Sequence, residues 1–200
     1  MSNFKPRKPR KLRYSIFIIC EDKNFGYDYL NSLKIAGKRI KVKPAGTDTD
    51  ALSIVKKCIN SIKNDANKTI AVNADLFCVF DTDKNTQAKI NDANTLAKSN
   101  DIRLIMNNPC IEYWFLSHHF KSSASITTQE AIKKITKKFN SYCKKCKFAG
   151  KDEMLTFLLK NTKQACLFNE KLYKNKEEYL KISNNPSSNM FLLIYKINEN

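Results

Sequence analysis

The sequence predicts an α/β fold, a mainly parallel sheet covered by helices, followed by a helical C-terminal half. Three observations lead there. Over the first 120 residues, short β-branched and aromatic runs alternate with amphipathic stretches, the βαβα order that builds parallel sheets. The runs are continuously apolar, which suits strands buried on both faces. Beyond residue 125 only helical spacings recur. A chain of 200 residues can bury one sizeable core. Residues 14–200 are therefore read as one domain, α/β over about 14–120 and helical over about 125–200, behind a basic arm at 1–13.

The elements follow in order. Residues 1–13 carry six Lys or Arg, Pro6, Pro9 and no acid, the composition of a flexible arm. Tyr14 to Cys20 reads as a buried strand. Gly26 to Ala36 predicts a helix with Tyr29, Leu30 and Leu33 inward, ended by Gly37. Ile40 to Lys43 is a short edge strand. Thr47-Asp48-Thr49-Asp50 caps the next helix, whose stripe is Ala51, Val55, Cys58 and Ile62; these aspartates are assigned to capping. Leu76 to Phe80 is the central strand, and Thr86 to Ser99 a helix with Ala93, Leu96 and Ala97 inward. Ile102 to Met106 makes a fourth strand. Pro109 is expected to open a helix running through Trp114, a core residue, to Phe120. Ile132, Ile135, Phe139 and Tyr142 repeat at helical spacing; Leu155 to Leu159, Ala165 to Tyr173 and Asn189 to Ile197 follow as further helices.

Composition narrows the partners. The chain holds 36 Lys and Arg against 19 Asp and Glu, a net charge of +17. Residues 131–151 contain eight lysines and no acid. Such blocks form either a solvated surface or a set of phosphate contacts with salt-dependent affinity. Nucleic acid, RNA or DNA, is the expected partner, held without sequence readout by Lys133, Lys134, Lys137, Lys138, Lys144, Lys145 and Lys147. No apolar run approaches the roughly 20 residues of a membrane span, mean hydropathy is −0.49, and the basic start is too short in apolar residues for a signal peptide. Of seven cysteines, Cys20, Cys58, Cys78, Cys110 and Cys166 sit in apolar contexts, which points to the reducing cytoplasm. Cys143-Lys144-Lys145-Cys146 has no second pair at zinc spacing and reads as an exposed turn.

The chemistry is concentrated in acids at strand ends. Glu21 follows the first apolar run, and Asp81 and Asp83 follow the central one. The carboxyl ends of parallel strands border the crevice where open α/β sheets bind ligands. Two residues apart, Asp81 and Asp83 project to one side of an extended chain. With Glu21 they form a candidate site for Mg²⁺ or Mn²⁺, which favour carboxylate oxygens. Glu112 belongs either to this rim, through the Asn107-Asn108-Pro109 turn, or to the first turn of its helix, where the dipole favours an acid. Asp22 is either a further ligand or a residue of a solvated turn. His118 and His119 are assigned to packing or capping. No P-loop or GxSxG occurs among four glycines, and the strand-end DxD of phosphatases wants Thr or Val where Asn85 stands.

Ile18-Ile19-Cys20-Glu21, Val79-Phe80-Asp81-Thr82-Asp83, Asn107-Asn108-Pro109-Cys110-Ile111-Glu112-Tyr113-Trp114-Phe115-Leu116 and Asn185-Pro186-Ser187-Ser188-Asn189 stand in the order seen in RloB-like proteins. From about Arg13 onward the chain resembles that family. The resemblance implies a TOPRIM-type fold, akin to the nuclease half of OLD-family proteins and to topoisomerase and primase catalytic domains. It also implies an abortive-infection or other antiphage setting, often beside an ABC-type ATPase. Carried over by position, Glu21 resembles the general acid/base glutamate, and Asp81 and Asp83 the metal-binding DxD. The expected function is a metal-dependent nuclease, with RNA such as tRNA a candidate target; the alternative is a non-catalytic nucleic-acid-binding or sensor subunit. A small-molecule phosphohydrolase is disfavoured by Asn85 and the charge. The chain departs from the family's CEGxxTE pattern, placing Asp22 at the glycine and Gly26 at the second glutamate. Asn185-Pro186-Ser187-Ser188 reads as a helix cap with a Pro start; its recurrence in the family implies a loop folded over the site.

Overall fold

Unbroken apolar character makes Tyr14–Cys20 the strand β1, whose last five residues are all buried. The computed structural model describes residues 14–33, 39–47, 49–66, 69–139, 142 and 151–199. The basic arm, Gly37, Asp48, the Cys143–Cys146 pair, and Lys144, Lys145 and Lys147 lie outside those residues. After β1 come α1 (Phe25–Ser32), β2 (Ile40–Pro44), α2 (Ala51–Lys63), β3 (Ile70–Asp81), α3 (Gln87–Lys98), β4 (Ile102–Asn108) and α4 (Ile111–Leu116). The second half adds α5 (Thr128–Lys138), α6 (Lys151–Glu170), β5 (Ser187–Ser188) and α7 (Met190–Asn198). The sheet order is β2-β1-β3-β4-β5. Its first four strands are parallel, and β5 runs antiparallel to β4.

Side-chain alternation divides the core into two layers. Ile16, Ile18, Cys20, Phe77, Val79 and Ile105 face a layer that includes α1, α4 and α7. Phe17, Ile19, Cys78, Phe80, Leu104 and Met106 face α2 and α3. Fully burying one such side chain contributes about 1.5–3 kcal/mol. Trp114 is fully buried and donates its indole N–H to the Tyr29 hydroxyl at 3.0 Å, so the expected core residue has its one polar atom satisfied. Asp50 caps α2 by accepting from the Ser53 N–H, and Thr86 caps α3 through the Lys89 N–H.

Several expectations are corrected. Pro109 does not open α4: it follows Asn108 in a cis peptide, and Cys110 is the N-cap. The helix ends at Leu116 rather than Phe120, where the Ser117 hydroxyl and the His118 ring both turn back to the Trp114 carbonyl. The two helices expected over 155–173 are one continuous α6. Phe139 is the C-cap of α5, which places Tyr142 beyond the helix. Residues 185–188 do not start a helix; Asn185–Pro186 is cis and leads into β5, which pairs with Asn107 and Asn108. Among the described residues no helix is long and apolar enough to cross a membrane.

Candidate active site

The strand order sets the place of the site. From β1 the chain moves outward to β2, and from β3 it moves the other way to β4. α1 and α3 cover opposite faces of the sheet. A crevice therefore opens between β1 and β3 at their carboxyl ends, the switch point where open α/β sheets bind ligands. Glu21 continues the pairing one residue past β1, its N–H donating to the Val79 carbonyl at 2.9 Å. Its carboxylate turns back across the crevice, where Oε2 accepts the Asp81 N–H at 2.9 Å. Asp81, the last residue of β3, is 8% exposed and accepts from Asn107 Nδ2 at 3.4 Å.

Asp83 stands elsewhere than an extended chain would put it. The Asn85 N–H bonds the Thr82 carbonyl at 2.9 Å, closing a turn as soon as β3 ends, so the two-residue alternation stops at Asp81. The Asn85 side chain clamps that turn, donating to the Asp81 carbonyl at 2.7 Å and accepting from the Ala51 N–H. Asp83 is exposed on the turn, yet its charge still reaches Glu21. Burial raises the Glu21 pKa above its ordinary value and the Asp83 charge adds to this. The Asp81 N–H and Lys84 act the other way, with Lys84 Nζ 3.6 Å from Oε1. Burial also raises the Cys20 thiol, helped by the charges of Asp22, Asp81 and Glu21.

Behind the carboxylates lies a buried layer of amides and hydroxyls. Ser188 Oγ donates to Asn107 Oδ1 at 2.8 Å, so Ser188, Asn107 and Asp81 form a chain of hydrogen bonds. Thr82 Oγ1 donates to Asn108 Oδ1 at 2.9 Å, and Asn108 Nδ2 to the Ile182 carbonyl at 2.8 Å. The structure thus brings the Asn107-Asn108 and Ser187-Ser188 segments together, with β5 beside β4 and not folded over the acids. Sequence reasoning put the Asn107-Asn108 turn on the rim and a 185–188 loop over the site, but missed their hydrogen bonds and Lys84. A tandem of amides ending an apolar strand was the available signal, because buried amides need partners.

Glu112 is wholly buried. The Tyr142 hydroxyl donates to its Oε1 at 2.8 Å, and the Tyr142 ring meets Phe25 edge-on at 5.7 Å. Burial raises the Tyr142 pKa, and the Glu112 charge adds to the shift. Asp22 is half-buried just after β1. Its carboxylate accepts the Asn24 and Gly26 N–H groups at 2.7 and 3.0 Å, covering donors at the start of α1 that helix geometry leaves unpaired. Burial depresses His118 to about 4, so it is a neutral packing residue against Trp114. His119 packs on Phe157. Lys133, Lys134, Lys137 and Lys138 are exposed on α5, with Lys134 over the Phe120 ring and Lys138 over the Phe157 ring.

The Glu21 carboxylate is therefore bonded to the Asp81 N–H, Asp83 acts on Glu21 from the turn, and Glu112 is held by Tyr142. Among the described residues no three His, Cys, Asp or Glu side chains stand together as a metal-holding group. The donor set still fits a largely hydrated divalent cation, which takes one or two carboxylates and keeps its waters for substrate phosphates. Burial raises the Glu21 pKa and the Asp83 charge adds to it; a cation would favour the charged form.

The profile of the RloB-like protein family matches residues 16–197. The chain belongs to the RloB-like family. No curated protein and no solved structure matches it. All four motifs of this RloB-like chain fall inside the matched span, and three of them meet in the hydrogen-bonded layer at the ends of β3 and β4.

Proposed function

We propose that this RloB-like protein is a cytoplasmic, metal-dependent nuclease of TOPRIM type, acting in an antiphage, abortive-infection system. One observation carries the reading: Glu21 and Asp81 are hydrogen-bonded across the sheet's switch point in a chain of net charge +17. An acidic crevice inside a basic protein suits a polyanionic substrate better than a small one. Asp81 and Glu21 would hold Mg²⁺ or Mn²⁺, with Asp83 reaching it from the turn. The ion would neutralise charge developing on a scissile phosphate. Asn107 and Asn85 hold Asp81 by its side chain and backbone. Glu21, its pKa raised by burial, would accept and return a proton. RNA such as tRNA is the favoured substrate, and an ABC-type ATPase the proposed partner.

The test is cleavage of end-labelled tRNA, single-stranded RNA and duplex DNA in Mg²⁺ or Mn²⁺ and in EDTA. Glu21→Gln and Asp81→Asn are expected to lower turnover about 10²–10⁴-fold while nucleic-acid affinity is kept. Turnover by either variant at the parent rate would remove the assignment.

A second reading has its own observation. Lys84 lies against Glu21, and Asp22 is committed to α1, in keeping with a sensor subunit that binds nucleic acid and signals through the ATPase. Salt-dependent binding indifferent to Mg²⁺, with no product from any substrate, would favour it.

A further inference from the structure

Along the outer flank of α2 runs a groove of about 510 Å³. Its lining includes Lys43, Lys56 and Lys57 beside Ser53, Asn60 and Asn64, and no carboxylate is among the described residues that form it. Lys43 and Lys57 are half-buried. Lys43 lies over the Phe17 ring at 5.8 Å, and Lys57 Nζ donates to the Ala45 carbonyl. These contacts hold two of the three cations in place, so less side-chain entropy is lost when an anion arrives.

The groove is aimed at the crevice. Lys43 is in register with Ile19, two residues before Glu21, and α2 begins beside the Asp81 turn, where Asn85 holds the Ala51 N–H. From Ser53 to Asn64 the helix covers about 16 Å at 1.5 Å per residue. The lysines of α5 lie on the opposite face of the sheet, and two of them are turned onto aromatic rings.

We propose that the α2 groove is a track for a phosphodiester backbone, leading a single nucleic-acid strand over the edge of β2 to the Glu21–Asp81 crevice. The proposal rests on the nuclease reading only for the strand's destination. Three lysines act as point charges on phosphates, and the Ser and Asn side chains hydrogen-bond to phosphate or sugar, contacts that position without reading bases. The α5 lysines take the strand after it has crossed the rim.

The experiment uses the full chain carrying Glu21→Gln, in EDTA, so that binding is followed without cleavage. Fluorescence anisotropy of labelled single-stranded RNA, single-stranded DNA of the same sequence and duplex DNA is recorded across a KCl series. At about 0.7 per phosphate contact on single strands, Lys43→Gln/Lys56→Gln/Lys57→Gln should lower the log–log salt slope by about 2, equally on single-stranded RNA and DNA. The matching Lys→Arg triple should restore it, a rescue that damage to the fold would not give. An unchanged slope overturns the track, as does a loss confined to RNA or to DNA. So does a Lys133→Gln/Lys134→Gln/Lys137→Gln/Lys138→Gln variant that removes the whole slope. Binding with the predicted slope by a protein that never cuts would keep the groove and refute the nuclease; metal-dependent cutting with an unaltered slope would do the reverse.

Discussion

Tyr142 gives its hydroxyl hydrogen to a carboxylate that water does not reach. Hydrogen bonds to charged groups contribute about 1.5–3 kcal/mol each, so Tyr142→Phe should lower unfolding stability by that much in urea titration at pH 7. An unchanged midpoint would show that this bond contributes nothing net to stability. Glu21 leads to a pH-dependent result. Its pKa is higher folded than unfolded, so between the two values the folded state binds more protons. Stability therefore falls as pH rises from the ordinary carboxylate range through the raised value. Glu21→Gln carries no such charge, and its stability relative to the parent should grow over that interval and then level off. A difference that stays flat from pH 4 to 8 would contradict the buried, repelled carboxylate. The Glu112–Tyr142 pair was not readable in advance: the two residues are 30 apart, and no periodicity joins them.

At the scale of elements, Asn189 ties α7 to β4. Its side chain accepts the Met106 N–H at 2.6 Å and donates to the Leu104 carbonyl at 3.2 Å, standing in for the strand that two-residue β5 does not extend. Asn189→Ala leaves two buried backbone groups without these partners, at roughly 1–3 kcal/mol for each unmet group. The expected result is a lower urea midpoint with faster hydrogen exchange at Met106 than in β1; equal exchange at both sites would argue against the tie. Strands β1, β3 and β4 were readable because continuous apolar runs bounded by polar residues have few other solutions. β5 was not, since two serines carry no hydrophobic pattern and owe their conformation to Asn107 and Asn108. The displaced Asp83 has a similar cause, a turn stabilised by Asn85 where the sequence offered only an extended DxD.

At the scale of the whole molecule, the five cysteines among the described residues behave as core residues. Cys20, Cys58, Cys78, Cys110 and Cys166 are all buried, and burial pushes Cys166 up to about 12. A thiol reagent at pH 8 should modify these five at least about 10³-fold more slowly in buffer than in denaturant, the ratio set by the rare unfolded population. Rapid labelling of any of them in buffer would show a more open core. Apolar neighbours on both sides made this burial readable from sequence. The position of the crevice was readable to the extent that strand-end acids and βα order define a rim, whereas the pairing of Glu21 with Asp81 depends on β1 and β3 being neighbours.

The chain of bonds from Ser188 through Asn107 to Asp81 also has a consequence in time. Asn107 leaves the ribosome 81 residues before Ser188. At roughly 5–20 residues per second, the acidic rim waits about 4–16 s for the segment that orients it. A nascent chain thus has its parallel strands well before the hydrogen bonds that orient Asp81 are complete.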